Sequence, residues 1–192
     1  MIHLAIFASG AGSNAENLIR HFENHAHIRI GLVLSNCPTA PVLQRAGKLS
    51  VPTCTFGKTD FYHSDTVLQK LQEYHIDYVV LAGFLWLVPG NLLAAFPHHI
   101  INIHPALLPK YGGKGMYGMH VHRAVIAHAD KETGITIHRI DAEYDRGEIL
   151  FQARCAVSSH DTPESIAAKV HELEYRHFPE VIEKVVSACP GI

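Results

Sequence analysis

The chain alternates short apolar runs with stretches where apolar residues recur every third or fourth position, the pattern of strands alternating with amphipathic helices. Residues 3–8 read as a buried strand, and beyond a glycine-containing turn at 9–14 the residues Ala15, Leu18, Ile19 and Phe22 share one helical face. A second buried strand is predicted over 28–34, a short helix over 41–49 and a third strand over 51–55. Asp60 can cap a helix running through Tyr74, with Phe61, Val67, Leu68 and Leu71 on its inner face. A fourth strand follows over 78–81, a short helix over 89–95 and a fifth strand over 100–103. Such continuous apolar runs fit strands buried on both faces, so this half predicts a mostly parallel sheet with helices on both faces, Rossmann-like in plan.

The second half reads differently. A long loop over 105–119, rich in Gly, Pro, Lys and Met, has the length of a lid or binding loop. After a helix over 120–129, residues 135–140 alternate apolar with polar, and an acidic connection leads to a strand over 149–153, which predicts a late antiparallel pairing. Asp161 or Thr162 caps a last helical region reaching Val185, in which Pro179 is expected to force a kink or break. No repeat, low-complexity tract or linker divides the chain, and 192 residues suffice for one core, so a single domain over 1–192 is expected.

Composition narrows the partners. With 16 Lys and Arg against 18 Asp and Glu, the formal charge of -2 leaves no basic excess for a nucleic-acid backbone, and small-molecule partners are expected instead. The apolar start has no basic residues ahead of it and is interrupted at Gly10, which argues against a signal or membrane segment and for a cytoplasmic location. Cys37, Cys54, Cys155 and Cys189 are scattered without C-x-x-C spacing, as reduced thiols would be. The 16 histidines include neighbours at 25 and 27, 98 and 99, and 120 and 122, yet no H-E-x-x-H or matching Cys or carboxylate accompanies them, so no metal is expected.

Three places carry candidate chemistry. Gly10-Ala11-Gly12-Ser13-Asn14-Ala15 matches G-x-G-x-x-G/A between a strand and a helix, where exposed backbone amides favour an anion such as phosphate. Ser13 and Glu16 could instead form a capping box, and the two readings are compatible. A dinucleotide enzyme would place a carboxylate near the end of the second strand, where this chain has Leu34-Ser35-Asn36, so a phosphomonoester fits better than NAD. On the fifth strand Asn102 and His104 are two residues apart and share a face, pairing a non-titrating amide donor with an imidazole, a combination suited to a developing oxyanion. A structural histidine at a strand end is the alternative. Asp145, in an acidic loop with Asp141, Glu143 and Glu148, could orient His104 or could be an ordinary turn aspartate.

Five blocks, 9–14, 81–84, 102–111, 134–138 and 145–147, together resemble the phosphoribosylglycinamide formyltransferases, a folate-dependent formyltransferase family of purine synthesis, and the likeness runs in order from about residue 2 to 186. The resemblance implies a Rossmann-like formyltransferase fold and direct transfer of a formyl group from 10-formyltetrahydrofolate, as co-substrate, to the amine of a phosphoribosyl glycinamide. It implies Asn102, His104 and Asp145 as the catalytic trio, with Asn102 and protonated His104 stabilising the oxyanion and Asp145 holding His104 and helping a proton reach the departing folate nitrogen through water. Gly12, Ser13 and Asn14 would cradle the phosphate, and Glu174 would meet the glycinamide end. Leu85, Trp86, Leu87 and Val88, together with Asn102 and the stretch Ala142, Glu143, Tyr144 and Asp145, would wall the folate pocket. A homo-oligomer is compatible with the family.

The chain departs from the family's better-known bacterial pattern in its longer loop over 112–119, in Trp86 where arginine is common, and in Arg146 where glycine is common. Length argues against two relatives with an Asn-x-His strand, a transfer-RNA formyltransferase with an added RNA-binding domain and a formyltetrahydrofolate hydrolase with an added regulatory domain. A non-catalytic phosphate-binding module would need only the glycine turn, and a nicotinamide oxidoreductase would want the missing ribose acid.

Overall fold

The apolar runs become the parallel strands β1 (Ile2–Phe7), β2 (Ile28–Ser35), β3 (Thr53–Thr55), β4 (Tyr78–Leu81) and β5 (Ile100–His104), and the late alternating segments become β6 (Glu132–Arg139) and β7 (Ile149–Ala156). The computed structural model describes residues 1–143 and 145–188. Its seven strands form one sheet in the order β3-β2-β1-β4-β5-β6-β7, with β6 antiparallel to both neighbours. The helices are α1 (Ser13–Phe22), α2 (Pro41–Lys48), α3 (Lys58–Tyr62), α4 (Thr66–Glu73), α5 (Gly90–Ala95), α6 (Met119–Ala127) and α7 (Pro163–Ala188).

Strand alternation sorts the core into two layers. Leu4, Ile6, Val80, Ile101, Ile103, Ile135 and Ile137 face α1, α2, α6 and α7, whereas Phe7, Leu34, Val79, Leu81 and Ile100 face α3, α4 and α5. In β2 the alternation slips. Leu4 pairs with Ile30 but Ala5 with Leu32, so Gly31 is the extra residue of a bulge that keeps Ile30 and Val33 in the same layer.

The single helix expected from Asp60 through Tyr74 is two. Asp60 sits inside the first turn of α3, its carboxylate accepting the Gly57 N–H at 2.8 Å, rather than at the cap. Ser64 then ends that helix, its hydroxyl donating to the Asp60 carbonyl at 3.1 Å and lying 2.9 Å from the Thr66 hydroxyl, local bonds that compete with a continuous helix. The outer strands also differ: β3 has only three residues, while the β6–β7 ladder extends from Glu132 opposite Ala156.

Pro179 does not end α7, which runs for 26 residues with Pro179 buried inside it. A proline has no N–H for the carbonyl four residues earlier, and breaking a helix in this way costs about 3 kcal/mol. That carbonyl belongs to Tyr175, and it accepts the Asn17 side-chain amide of α1 at 2.8 Å. The neighbouring helix thus supplies the donor that the ring removes.

Candidate functional site

Chain order runs outward from β1 to β2 and β3 on one side and from β4 to β5 on the other, so the sheet reverses direction between β1 and β4. In such sheets the crevice beyond the carboxyl ends of the strands at the reversal is where ligands bind. A cavity of about 1010 Å³ opens there, lined by the turn after β1, the segment after β4, the end of β5, the 114–119 loop and one face of α7.

The turn after β1 is built from backbone. Gly12 lies in the left-handed region at φ 73 and packs so closely on α2 that a Cβ there would come within 2.3 Å of Val42 Cγ2. The alternative capping box of Ser13 and Glu16 does not form: Gly12 occupies the N-cap with no side-chain bond, and the Glu16 carboxylate turns away to Arg20 Nη2 at 2.8 Å and to Arg45. The positive end of α1, with the first-turn amides of Ser13 and Asn14, is left to the cavity. The Asn14 side chain donates to Glu174 Oε2 of α7 at 2.9 Å, and His171 Nδ1 lies 3.1 Å from the same oxygen. Asn14 Oδ1 is buried without a partner beside them.

Across the cavity the site is built from side chains. Asn102 and His104 alternate out of the apolar layer occupied by Ile101 and Ile103, and the antiparallel register sets His138 opposite Asn102 and Thr136 opposite His104. His138, fully buried, has Nδ1 2.9 Å from the Arg139 carbonyl, which can only accept, so the proton sits on Nδ1 and Nε2 accepts from the Asn102 amide at 3.0 Å. That bond turns the Asn102 nitrogen toward His138 and fixes which end of the amide is the donor. Thr136 is also satisfied on all sides: its hydroxyl donates to the Ala106 carbonyl at 2.7 Å and accepts from the Leu108 N–H and the Gln152 amide, both at 2.9 Å.

His104 follows the same logic. Its Nε2 donates to the Tyr111 carbonyl at 2.7 Å, so Nδ1 is the nitrogen left to gain or lose a proton, and Nδ1 lies 3.7 Å from Asp145 Oδ2. The structure therefore brings Asn102, His104 and Asp145 together, with His138 Nε2 3.6 Å from the other Asp145 oxygen. Asp145 sits at φ 57 and accepts the Gly113 N–H at 2.8 Å. Burial pushes the His104 imidazole below its ordinary value, against the pull of Asp145 and the Tyr111 carbonyl. Burial works in the opposite sense on Asp145, but the charge of His104 and the Gly113 N–H help hold the carboxyl below the usual range.

Leu85, Trp86, Leu87, Val88 and Glu143 line the same cavity, as do Gly12, Ser13, Asn14 and Glu174. Ala142, which is exposed, is not among the lining residues. Tyr144 and Cys189 lie outside the described residues. Trp86 packs edge-on to Phe56 and tilted against Tyr62, whose hydroxyl donates to the Leu87 carbonyl at 3.1 Å. His138, His122 and His171 carried no role from the sequence. His138 is recognisable only once β6 is paired with β5, and His122, buried with Nδ1 unpartnered at the cavity wall, lies on α6 behind the long loop.

The histidine neighbours elsewhere have other work. His25 Nδ1 accepts the backbone N–H groups of His27 and Ile28 at 3.2 and 3.0 Å, so its proton is on Nε2, which faces Glu183 at 3.4 Å. Among the described residues no group of three His, Cys, Asp or Glu side chains is arranged to hold a metal ion, and no helix is long and apolar enough to cross a membrane. Cys37, Cys54 and Cys155 are free thiols.

Comparison with known proteins gives a consistent picture. Residues 2–182 match the family model described as formyl transferase. The chain is 38% identical over 185 residues to a chloroplastic phosphoribosylglycinamide formyltransferase of Arabidopsis thaliana, covering 93% of this chain and 63% of that protein. It is 31% identical to the phosphoribosylglycinamide formyltransferase of Bacillus subtilis, covering 97% and 95% respectively. The chain thus spans about three fifths of the plant relatives but nearly all of the Bacillus one. Among solved structures, phosphoribosylglycinamide formyltransferase from Anaplasma phagocytophilum superposes with a TM-score of 0.88 at 30% identity, covering 97% of this chain and 87% of that one.

Proposed function

The chain belongs to the formyl transferase family, and on that basis we propose that it transfers the formyl group of 10-formyltetrahydrofolate to the amine of N1-(5-phospho-D-ribosyl)glycinamide, giving the N-formyl product and tetrahydrofolate in purine synthesis. The observation that carries this reading is that one cavity holds both an open helix N-terminus, suited to a phosphate, and the Asn102, His104 and Asp145 cluster, suited to an acyl-type transfer.

Gly12, Ser13 and Asn14 offer backbone amides to the phosphate, and Glu174 holds the glycinamide end near Asn14. Leu85 to Val88, Glu143 and Asp145 form the folate side. The amine nitrogen attacks the formyl carbon, and the carbonyl electron pair moves to oxygen. Since Nε2 of His104 is committed to a carbonyl, Nδ1 takes the proton that the attacking amine sheds. The imidazolium so formed is stabilised by Asp145 and, with the second N–H of Asn102, faces the oxyanion. As the carbon–nitrogen bond to folate breaks, the same proton goes to the departing nitrogen. No covalent enzyme intermediate is needed.

The deciding experiment follows folate deformylation by absorbance with and without the glycinamide ribonucleotide. Turnover that depends on the acceptor supports the transferase. Equal turnover with water alone would replace it with a hydrolase.

A further inference from the structure

We propose that Asp130 and the Tyr111 phenol are positioning residues for His104, acting from outside the cavity through the three residues Tyr111-Gly112-Gly113. This rests on the transferase reading only for its kinetic arm.

The segment brackets the His104–Asp145 pair. At one end the Tyr111 carbonyl accepts the His104 Nε2 proton at 2.7 Å, and at the other the Gly113 N–H is donated to Asp145 Oδ2 at 2.8 Å. Between them Gly112 packs so tightly that a Cβ would come within 2.7 Å of Leu108 Cδ2 and 3.2 Å of Asp145 Cβ. The separation of imidazole and carboxylate is therefore set by the backbone path of these three residues. That path is unfavourable on its own, because Tyr111, with a bulky side chain, sits in the left-handed region at φ 55.

Its ring supplies the restraint. The phenol donates to Asp130 Oδ2 at 2.9 Å, beyond the C-terminal end of α6, and the ring centroid lies 5.7 Å from that of His128. Burial and the Asp130 carboxylate push the phenol up to about 12, so it remains a donor throughout the working pH range. Lys110 Nζ, 3.2 Å from both oxygens of Asp130, adds a second contact, but the Lys110 side chain is 67% exposed and so holds the carboxylate only loosely. Neither Asp130 nor the phenol lines the cavity. Their effect on the reaction has to pass through the Tyr111 carbonyl, which keeps the His104 proton on Nε2 and leaves Nδ1 free.

Tyr111→Phe removes the phenol donor, Asp130→Ala its acceptor, and Asp130→Asn retains an oxygen that can accept. Losing one such hydrogen bond corresponds to about tenfold. The expected result is a kcat about tenfold lower for the first two variants, with KM changed less than about twofold and Asp130→Asn within about threefold of wild type. The acid limb of the pH–rate profile should move to lower pH, because a carbonyl that favours the imidazolium has lost its aim. Nitrogen NMR of histidine-labelled protein reads the same point without turnover: His104 should be the Nε2–H tautomer in wild type and a mixture of tautomers in Tyr111→Phe. A pure Nε2–H tautomer in a folded Tyr111→Phe would overturn the proposal, as would a loss of kcat with an unmoved pH profile. If the wild type fails to transfer formyl groups, the transferase reading falls, while the tautomer comparison still decides this one. If Asp130→Ala does not fold, Tyr111→Phe carries the test.

Discussion

The two walls of the cavity are made from different materials. At the end of β1 the donors are backbone amides, exposed because Gly12 caps α1 with no side chain and Glu16 turns away. Around the end of β5 the polar groups are side chains, each held by a partner: the donors Asn102 by His138 and His104 by the Tyr111 carbonyl, and the acceptor Asp145 by the Gly113 N–H. A wall of amides offers a permanent positive field and suits an anion that only needs to be held. A wall of partnered side chains suits a charge that appears and disappears during a reaction, because such groups can be fixed in advance and one of them can titrate. Binding and chemistry should therefore separate under mutation.

The largest separation is expected at β5. Asn102→Ala or His104→Ala should lower kcat by about 10²- to 10³-fold, the usual cost of a preorganised donor, with little change in the KM for the phosphorylated substrate. Steady-state kinetics on folded protein checks this, and near-wild-type turnover would remove these residues from the reaction. Gly12→Ala tests the other wall. It forces a side chain into a left-handed position against Val42, and should raise that KM at least about tenfold while costing about 2 kcal/mol or more in chemical denaturation. An unchanged KM would mean that the turn does not hold the phosphate.

Asp145→Asn probes the titrating group. The Asp145 charge raises the His104 value, so its removal should move the acid limb of the pH–rate profile to lower pH while reducing kcat. A shift to higher pH would contradict the assignment.

Stability should carry a related signature. Burial depresses His104 and His122 below the ordinary 6.5, so the unfolded chain binds more protons than the native one just below that pH. Stability should then fall as pH drops through about 6.5 and level off once the folded-state values are passed. Thermal melts of His122→Gln across this range should show a flatter dependence than wild type. The smallest effect is structural. Asn17→Ala should cost at most about 1 kcal/mol by exchanging the Tyr175 carbonyl's amide partner for water, and less in a Pro179→Ala background, where position 179 regains an N–H.

How much of this was legible depended on whether a signal was local. Strands β1, β2, β4 and β5 stood out because burial on both faces leaves unbroken apolar runs. Asn102 and His104 could be paired from period-two alternation alone. The break at Ser64 could not, since it turns on a hydroxyl preferring nearby backbone to the helix. His138 needed the β5–β6 register, and Asp145 was one of four acids in its loop until φ 57 and the Gly113 N–H distinguished it. Pro179 read as a breaker because its remedy, Asn17, lies 158 residues from Tyr175 in the chain.

That remedy bears on the geometry around Glu174. A helix whose backbone groups are all satisfied within itself can turn or slide against a neighbour with only side-chain packing to resist. The missing N–H at Pro179 leaves the Tyr175 carbonyl of α7 open inside the helix, and the Asn17 amide of α1 fills it, which works as a key between the two helices. One position before Tyr175 is Glu174, and one turn before Asn17 is Asn14, itself bonded to Glu174. In the proposed reaction, the carboxylate that would meet the substrate amine is thereby indexed to the turn that would hold its phosphate, so that both ends of one small molecule would be measured from the same pair of helices.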